Sequence, residues 1–224
     1  VTDDMIVVFT FDDGNVTIFK VAFAAMQRYD KSWAATHFLP AVYPGQPGNV
    51  TINDLKVMEA AGWETGGHGY VHENLSSVPL DSVKMQVEAS YNFLVSNGLS
   101  HESFAYPYGN YNYEAEVVVS GYFKNIRATH DFTYVDGVNR RELGYYAVRS
   151  NQTVDDLIGR VERARMQGSP LVIFGFHYVL PDTAAPITTY YCRESVFKGL
   201  LEYLSQQHLR IYSVKKAMEL LCGD

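Results

Sequence analysis

The sequence predicts an α/β fold built as a distorted parallel (β/α) barrel with seven or eight strands. Three observations predict it. Short β-rich runs alternate with longer helical patterns from end to end, and about eight strands to about seven helices suits a barrel better than an open sheet. No linker-like or low-complexity stretch breaks the alternation, so residues 1–224 are expected to form one domain. An open doubly wound sheet is the structural alternative.

The first strand is expected near 5–11, where Met5-Ile6-Val7-Val8-Phe9 is a continuous apolar run of the kind buried on both faces. Runs of β-branched and aromatic residues bounded by turn formers place the others near 33–39, 63–66, 103–107, 122–128, 145–149, 171–176 and 209–213. Between the first two, a helix over 16–30 carries Ile18, Val21, Ala22, Ala25, Met26 and Tyr29 at steps of three and four. Segments 53–61 and 81–95 behave alike, the second stopping at Asn97-Gly98. Thr153, followed by Asp155 and Asp156, opens another helix with a capping hydroxyl and early carboxylates, which suit the positive end of the helix dipole. Helices over 193–207 and 213–221 complete the set.

Composition narrows the function. Hydrophobic residues make up 47% of the chain, ample for a packed core. Eighteen Lys and Arg against 25 Asp and Glu give a charge of -7, with no basic run, which argues against a nucleic-acid partner. No apolar run approaches the roughly 18 residues of a membrane span. The chain begins at Val1, so a start methionine or signal peptide is expected to lie outside it. Cys192 and Cys222, the only cysteines, fit either one disulfide in an oxidising compartment or two free thiols. Oligomeric state is not readable from the chain.

Barrels of this kind do chemistry at the C-terminal ends of their strands. Four predicted strands end in reactive groups: strand one in Asp12-Asp13, strand three in "GGHGYVH" with His68 and His72, strand four in "FAYPYG", and strand seven in "IFGFH" with His177. Neighbouring side chains on a regular strand point to opposite faces, so Asp12 and Asp13 share a site only if the strand is already breaking there. His68 and His72 are four apart, a spacing that on one helical turn points both rings the same way, toward one metal. A carboxylate from strand one would complete three ligands and leave positions open for water and substrate, as in catalytic zinc sites. Each feature alone has a plainer reading: "DDGN" as a turn with a helix cap, the histidines as surface residues, His177 as an interior histidine. His37, His101, His130 and His208 have no such company, although His130 stands nearest the supposed rim.

Together these motifs resemble the polysaccharide deacetylase family, the NodB-homology domain of carbohydrate esterase family four. Its T-F-D-D-G stands unchanged at residues 10–14, and its second motif appears as "GWETGGHGYVH", its third as "FAYPYG" and its last as "IFGFH". The resemblance implies a NodB-like barrel with Asp12 as catalytic base, Asp13, His68 and His72 as metal ligands, and His177 as general acid. It further implies the backbone N–H of Tyr108 as an oxyanion donor, and Pro107, Tyr108 and Tyr178 as substrate contacts. Three positions depart from the pattern. Gly69 replaces the Ser or Thr that steadies the loop after the first histidine, Ala105 stands where many members carry the arginine that orients the base, and no Asp-Trp motif lies near 130–145. Arg149, at the end of strand six, is the expected substitute contact to Asp12.

The resemblance implies hydrolysis of an acetyl group using one divalent ion, zinc by default, with cobalt, manganese or nickel compatible with the same donors. Proton energetics agree. An aspartate of pKa about 3.9 taking a proton from bulk water at 15.7 works uphill by about 12 units, on the order of 16 kcal/mol. Zinc lowers water to about 7, leaving about 3 units, on the order of 4 kcal/mol. The expected substrate is an acetylated oligo- or polysaccharide, N-acetylated and chitin- or peptidoglycan-like, at an extracellular or cell-envelope location. An O-acetyl esterase acting on xylan-type polymers and a non-catalytic carbohydrate-binding domain are the rival readings. Seventeen tyrosines, several in predicted loops, supply rings able to stack on sugar faces.

Overall fold

The computed structural model describes residues 5–131 and 134–223. Its main sheet has eight strands, all parallel, in the order β5-β4-β3-β2-β1-β7-β6, with β10 also pairing to β1. These are β1 (Ile6–Phe11), β2 (Thr36–Leu39), β3 (Glu64–Gly67), β4 (Ser103–Ala105), β5 (Asn125–Arg127), β6 (Tyr146–Ala147), β7 (Leu171–Phe176) and β10 (Ile211–Tyr212). Every strand expected from the sequence is present. A short parallel pair, β8 (Tyr178–Leu180) and β9 (Tyr191–Arg193), was not foreseen.

At the centre of the sheet β1, with all six residues buried, is flanked along its length. One edge pairs with β7 from Ile6↔Leu171 to Phe11↔Phe176. The other is shared, β10 meeting Val7 and Val8, and β2 meeting Thr10 and Phe11. At the far end, Leu143 bridges Arg127 of β5, and three residues later the same segment becomes β6 beside β7. A bridge instead of a full ladder closes the circuit, which is the distortion of this barrel.

Alternation along the strands splits the core in two. Ile6 and Val8 join Phe38, Ala105, Tyr145, Leu171 and Ile173 in a small inner cluster, plugged by Val214, Ala217 and Met218 of the last helix. Val7, Phe9 and Phe11 join the larger cluster under the other helices. Phe9 alone meets Phe174, Phe176 and Phe197 at centroid distances of 5.7, 5.1 and 5.8 Å. Cutting such a ring to alanine costs about 3–5 kcal/mol. Inside, space is so tight that a Cβ on Gly175 would lie 2.1 Å from the Tyr145 ring.

The helices are α1 (Ala24–Tyr29), α2 (Ile52–Ala60), α3 (Leu80–Ser96), α4 (Tyr113–Ser120), α5 (Val154–Met166), α6 (Glu194–Gln206) and α7 (Val214–Cys222). A π-helical stretch, Ile18–Phe23, leads into α1, so the helix expected over 16–30 is wound in two ways. Thr51 with Asp54 and Thr153 with Asp156 form capping boxes, satisfying the first free N–H groups of α2 and α5. The start of α7 is capped from inside the barrel. Thr36 accepts from the N–H of Val214, and Glu64 accepts from the N–H of Lys215 and the Thr36 hydroxyl. Burial pushes the Glu64 carboxyl up to about 7, against the hydrogen bonds it accepts. Cys192, buried, and Cys222, exposed, are both free thiols. Among the described residues no helix is long and apolar enough to cross a membrane.

Candidate active site at the C-terminal ends of the strands

The four strand ends singled out by the sequence converge. After Phe11 the chain leaves the sheet through Asp13 and Gly14, both left-handed at φ 70° and 76°. That break lets two adjacent carboxylates serve one place. Asp12 stays buried in the barrel mouth, its N–H donating to Phe176, while Asp13 turns toward the loop after β3.

Asp13 Oδ1 lies 3.5 Å from Nε2 of His68 and 3.2 Å from Nε2 of His72. Burial is the largest influence on Asp13 and raises its pKa; with protons on Nε2 of His68 and His72, their hydrogen bonds and the charges of His68 and His177 outweigh it and hold the carboxyl well below the usual range. Nδ1 of His68 sits 2.7 Å from the carbonyl oxygen of Ala105, which can only accept, so Nδ1 carries the proton. In the neutral ring Nε2 then presents a lone pair to a carboxylate oxygen that is itself buried without a hydrogen-bond donor. Two electron-rich atoms facing each other with no proton between them call for a cation there. The two separations also match the tetrahedron edge of about 3.3 Å implied by zinc bonds of 2.0–2.1 Å. Asp13, His68 and His72, whose ligand atoms lie within 4.8 Å of one another, therefore fit a divalent metal.

His68 and His72 do not share a helical turn, contrary to the spacing argument. Residues 68–72 form a loop with Gly69 at φ 76° and His72 at φ 59°, and this brings the rings to a centroid distance of 4.8 Å. A spacing of four is equally met by a tight loop with two left-handed residues.

The expected partner of Asp12 needs correction. Arg127, not Arg149, holds it: Nη2 of Arg127 lies 2.7 and 2.6 Å from the two carboxylate oxygens, with both side chains buried. Arg127 is in direct register with Ala105 across β4 and β5, so paired residues face the same side of the barrel. The arginine missing at 105 is thus supplied by the neighbouring strand, and the small Ala105 leaves room for it. Its guanidinium also stacks 4.1 Å from the Tyr145 ring centroid. Arg149 is exposed and stacks on Tyr190 at 4.5 Å, with its N–H donating to Gln152. A full charge inside a predicted buried strand was the signal that would have found Arg127.

His177 follows β7, its Nε2 3.9 Å from Asp12 and 4.0 Å from Asp13, and Tyr190 packs against its ring at 5.2 Å. The Pro107–Gly109 turn after β4 puts Tyr108 at φ 59°, with its ring 4.6 Å from that of His72 and 62% exposed. Pro107 is buried beneath it. Tyr43 and Tyr178 border the same place: burial first, and then the charge of Asp13, raise both hydroxyl pKa values. His37, buried on β2, is pushed down to about 4 by burial and so stays neutral.

A family model described as polysaccharide deacetylase matches residues 1–122. Comparison with curated protein sequences finds no significant match. Among solved structures the chain is similar to a family 4 carbohydrate esterase from Streptomyces lividans in complex with acetate, at 16% identity and TM-score 0.63 over 92% of this chain and 91% of that one. It is similar to the Xyl-CE4 domain of a multidomain xylanase from the hindgut metagenome of Trinervitermes trinervoides, at 17% and 0.64 over 97% and 91%. It also resembles a pseudoenzyme of that family from Bacillus anthracis, at 16% and 0.65 over 96% and 66%. At such identities the likeness establishes the shared fold.

Proposed function

This chain belongs to the polysaccharide deacetylase family, and from that premise we propose that it is a metal-dependent hydrolase removing acetyl groups from N-acetylated sugars of a chitin- or peptidoglycan-like polysaccharide. One observation carries the reading: two adjacent carboxylates have unlike surroundings. Asp13 faces two imidazole nitrogens with no donor of its own, whereas Asp12 is held by Arg127 and lies 3.9 Å from His177.

Asp13, His68 and His72 would hold the ion, zinc by default, with cobalt, manganese or nickel acceptable to the same donors. When bound, it acts as a Lewis acid and lowers the pKa of water to about 7. Asp12, oriented by Arg127, takes the proton from the attacking water. As the carbonyl oxygen gains negative charge, the N–H of Tyr108 donates to it, a contribution of about 3 kcal/mol. His177 then gives its proton to the departing nitrogen as the C–N bond breaks, releasing acetate and a free amine, a contribution of about 10²–10⁴ in rate. Pro107, Tyr108 and Tyr178 contact the sugar, with Tyr190 and Arg149 at the rim. A polymer substrate of this kind places the enzyme outside the cell or in its envelope, which fractionation of producing cells tests.

Acetate release from N-acetylated chitooligosaccharides and from acetylated xylan, before and after chelation and zinc readdition, tests the reaction. The expected result is release from the first, abolished by chelator and restored by zinc. Release from xylan alone would make the chain an O-acetyl esterase. Oligosaccharide binding without acetate from any substrate would make it a carbohydrate-binding domain.

A further inference from the structure

The loop between the two histidines is gripped from a helix that supplies no other group to the site. Gln86, in the second turn of α3 and 1% exposed, points its Oε1 at the N–H groups of Tyr70 and Val71, at 2.7 and 3.0 Å. Its Nε2 donates to Glu73 at 2.9 Å, which with two N–H groups on the other side fixes the orientation of the amide. One side chain thus holds the loop between His68 and His72 and the residue just after it.

The loop has little else to hold it in shape. Gly69 offers no side chain, and a Cβ there would lie 3.5 Å from Gln86 Oε1 and 3.4 Å from Pro107. Tyr70 and Val71 are 38% and 45% exposed, so their packing contributes little. Two backbone bonds, from Ala41 to Gly69 and from Val42 to Tyr70, secure the carbonyl side. On the amide side Gln86 does the equivalent, while His72 sits in a left-handed conformation that a non-glycine residue leaves readily.

We propose that Gln86 is a positioning residue of the metal site: by holding the Tyr70 and Val71 amides it fixes the loop conformation that brings His72 to Asp13 and His68. Gln86 touches neither the metal ligands' coordinating atoms nor the substrate. This rests on the metal reading above.

The test compares the full chain with Gln86→Met, which keeps length and loses both hydrogen-bonding atoms, and with the paired exchange Gln86→Glu/Glu73→Gln, which keeps an acceptor toward the loop and a donor between the two side chains. Zinc affinity is measured by chelator competition, and hydrogen exchange at Tyr70 and Val71 is measured on metal-free protein. The expected results are a 10–100-fold loss of zinc affinity in Gln86→Met, with fast exchange at those two amides and normal protection in the rest of α3. The paired exchange should return affinity to within about threefold of the parent. Gln86→Met with parental affinity overturns the proposal, and so does a folded paired exchange as weak as Gln86→Met. If Gln86→Met does not fold, the paired exchange decides alone. A parent that binds no zinc refutes the metal reading first, and with it the role given to Gln86.

Discussion

Arg127→Ala separates the contribution of the buried ion pair to stability from its contribution to catalysis. In the parent, Arg127 and Asp12 have side chains only 2% and 4% exposed, at 2.6 Å. Removing one partner strands the other as a buried charge, which costs about 3–5 kcal/mol. Loss of the guanidinium stacked on Tyr145 adds a smaller packing term. Set against a typical domain stability of about 5–15 kcal/mol, the variant should fold with a clearly lower urea midpoint. Without the guanidinium that holds both of its oxygens the carboxylate loses the contact that orients it toward the attacking water, so acetate release should fall by about 10²–10⁴. Ala105 is the register neighbour of Arg127, and adjacent strands lie about 4.8 Å apart. The double variant Arg127→Ala/Ala105→Arg should therefore recover at least tenfold in turnover. The assays are urea unfolding followed by circular dichroism and acetate release from chitooligosaccharide. A folded Arg127→Ala protein with turnover within threefold of the parent would refute the reasoning.

Asp13→Asn removes the negative ligand, and zinc affinity by chelator competition should drop on the order of a hundredfold or more, with activity lost alongside; unchanged affinity would move the metal elsewhere. Arg149→Ala should leave turnover within about threefold while raising KM for longer oligosaccharides, because Arg149 stacks on Tyr190 and Arg127 holds Asp12. Glu64, raised from 4.5 to about 7 by burial, binds its proton more tightly in the folded state. Its contribution to stability is full below pH 4.5 and is lost as pH rises through about 7, a change of about 3 kcal/mol. Urea titrations of the parent and Glu64→Gln should therefore diverge by about that amount between pH 4.5 and 7.5, and a constant difference would show that Glu64 does not titrate there.

The long strands β1 and β7 were legible because each is almost wholly a run of apolar or β-branched residues, which burial on both faces of a barrel demands locally, while short ones such as Glu64–Gly67 were placed by their position in the alternation. The reactive strand ends were legible because Asp12, Asp13 and His177 sit one or two steps past such runs, and His68 and His72 follow the short strand Glu64–Gly67. Features that depend on contacts distant in sequence were hidden. The pair β8 and β9 is three residues long on each side, too short for a periodic signal. The loop at 68–72 could be taken for a helical turn, since a spacing of four does not encode the left-handed φ values of Gly69 and His72. Arg127 could be assigned to Asp12 only once β4 and β5 were set in register, 115 residues along the chain from its partner. Gln86 reads locally as one more polar position on an amphipathic helix, and its amide acquires a role only where α3 packs against the histidine loop. Hydrophobic period is written in neighbouring residues, whereas register, ion pairing and loop clamping are properties of surfaces that folding alone brings together.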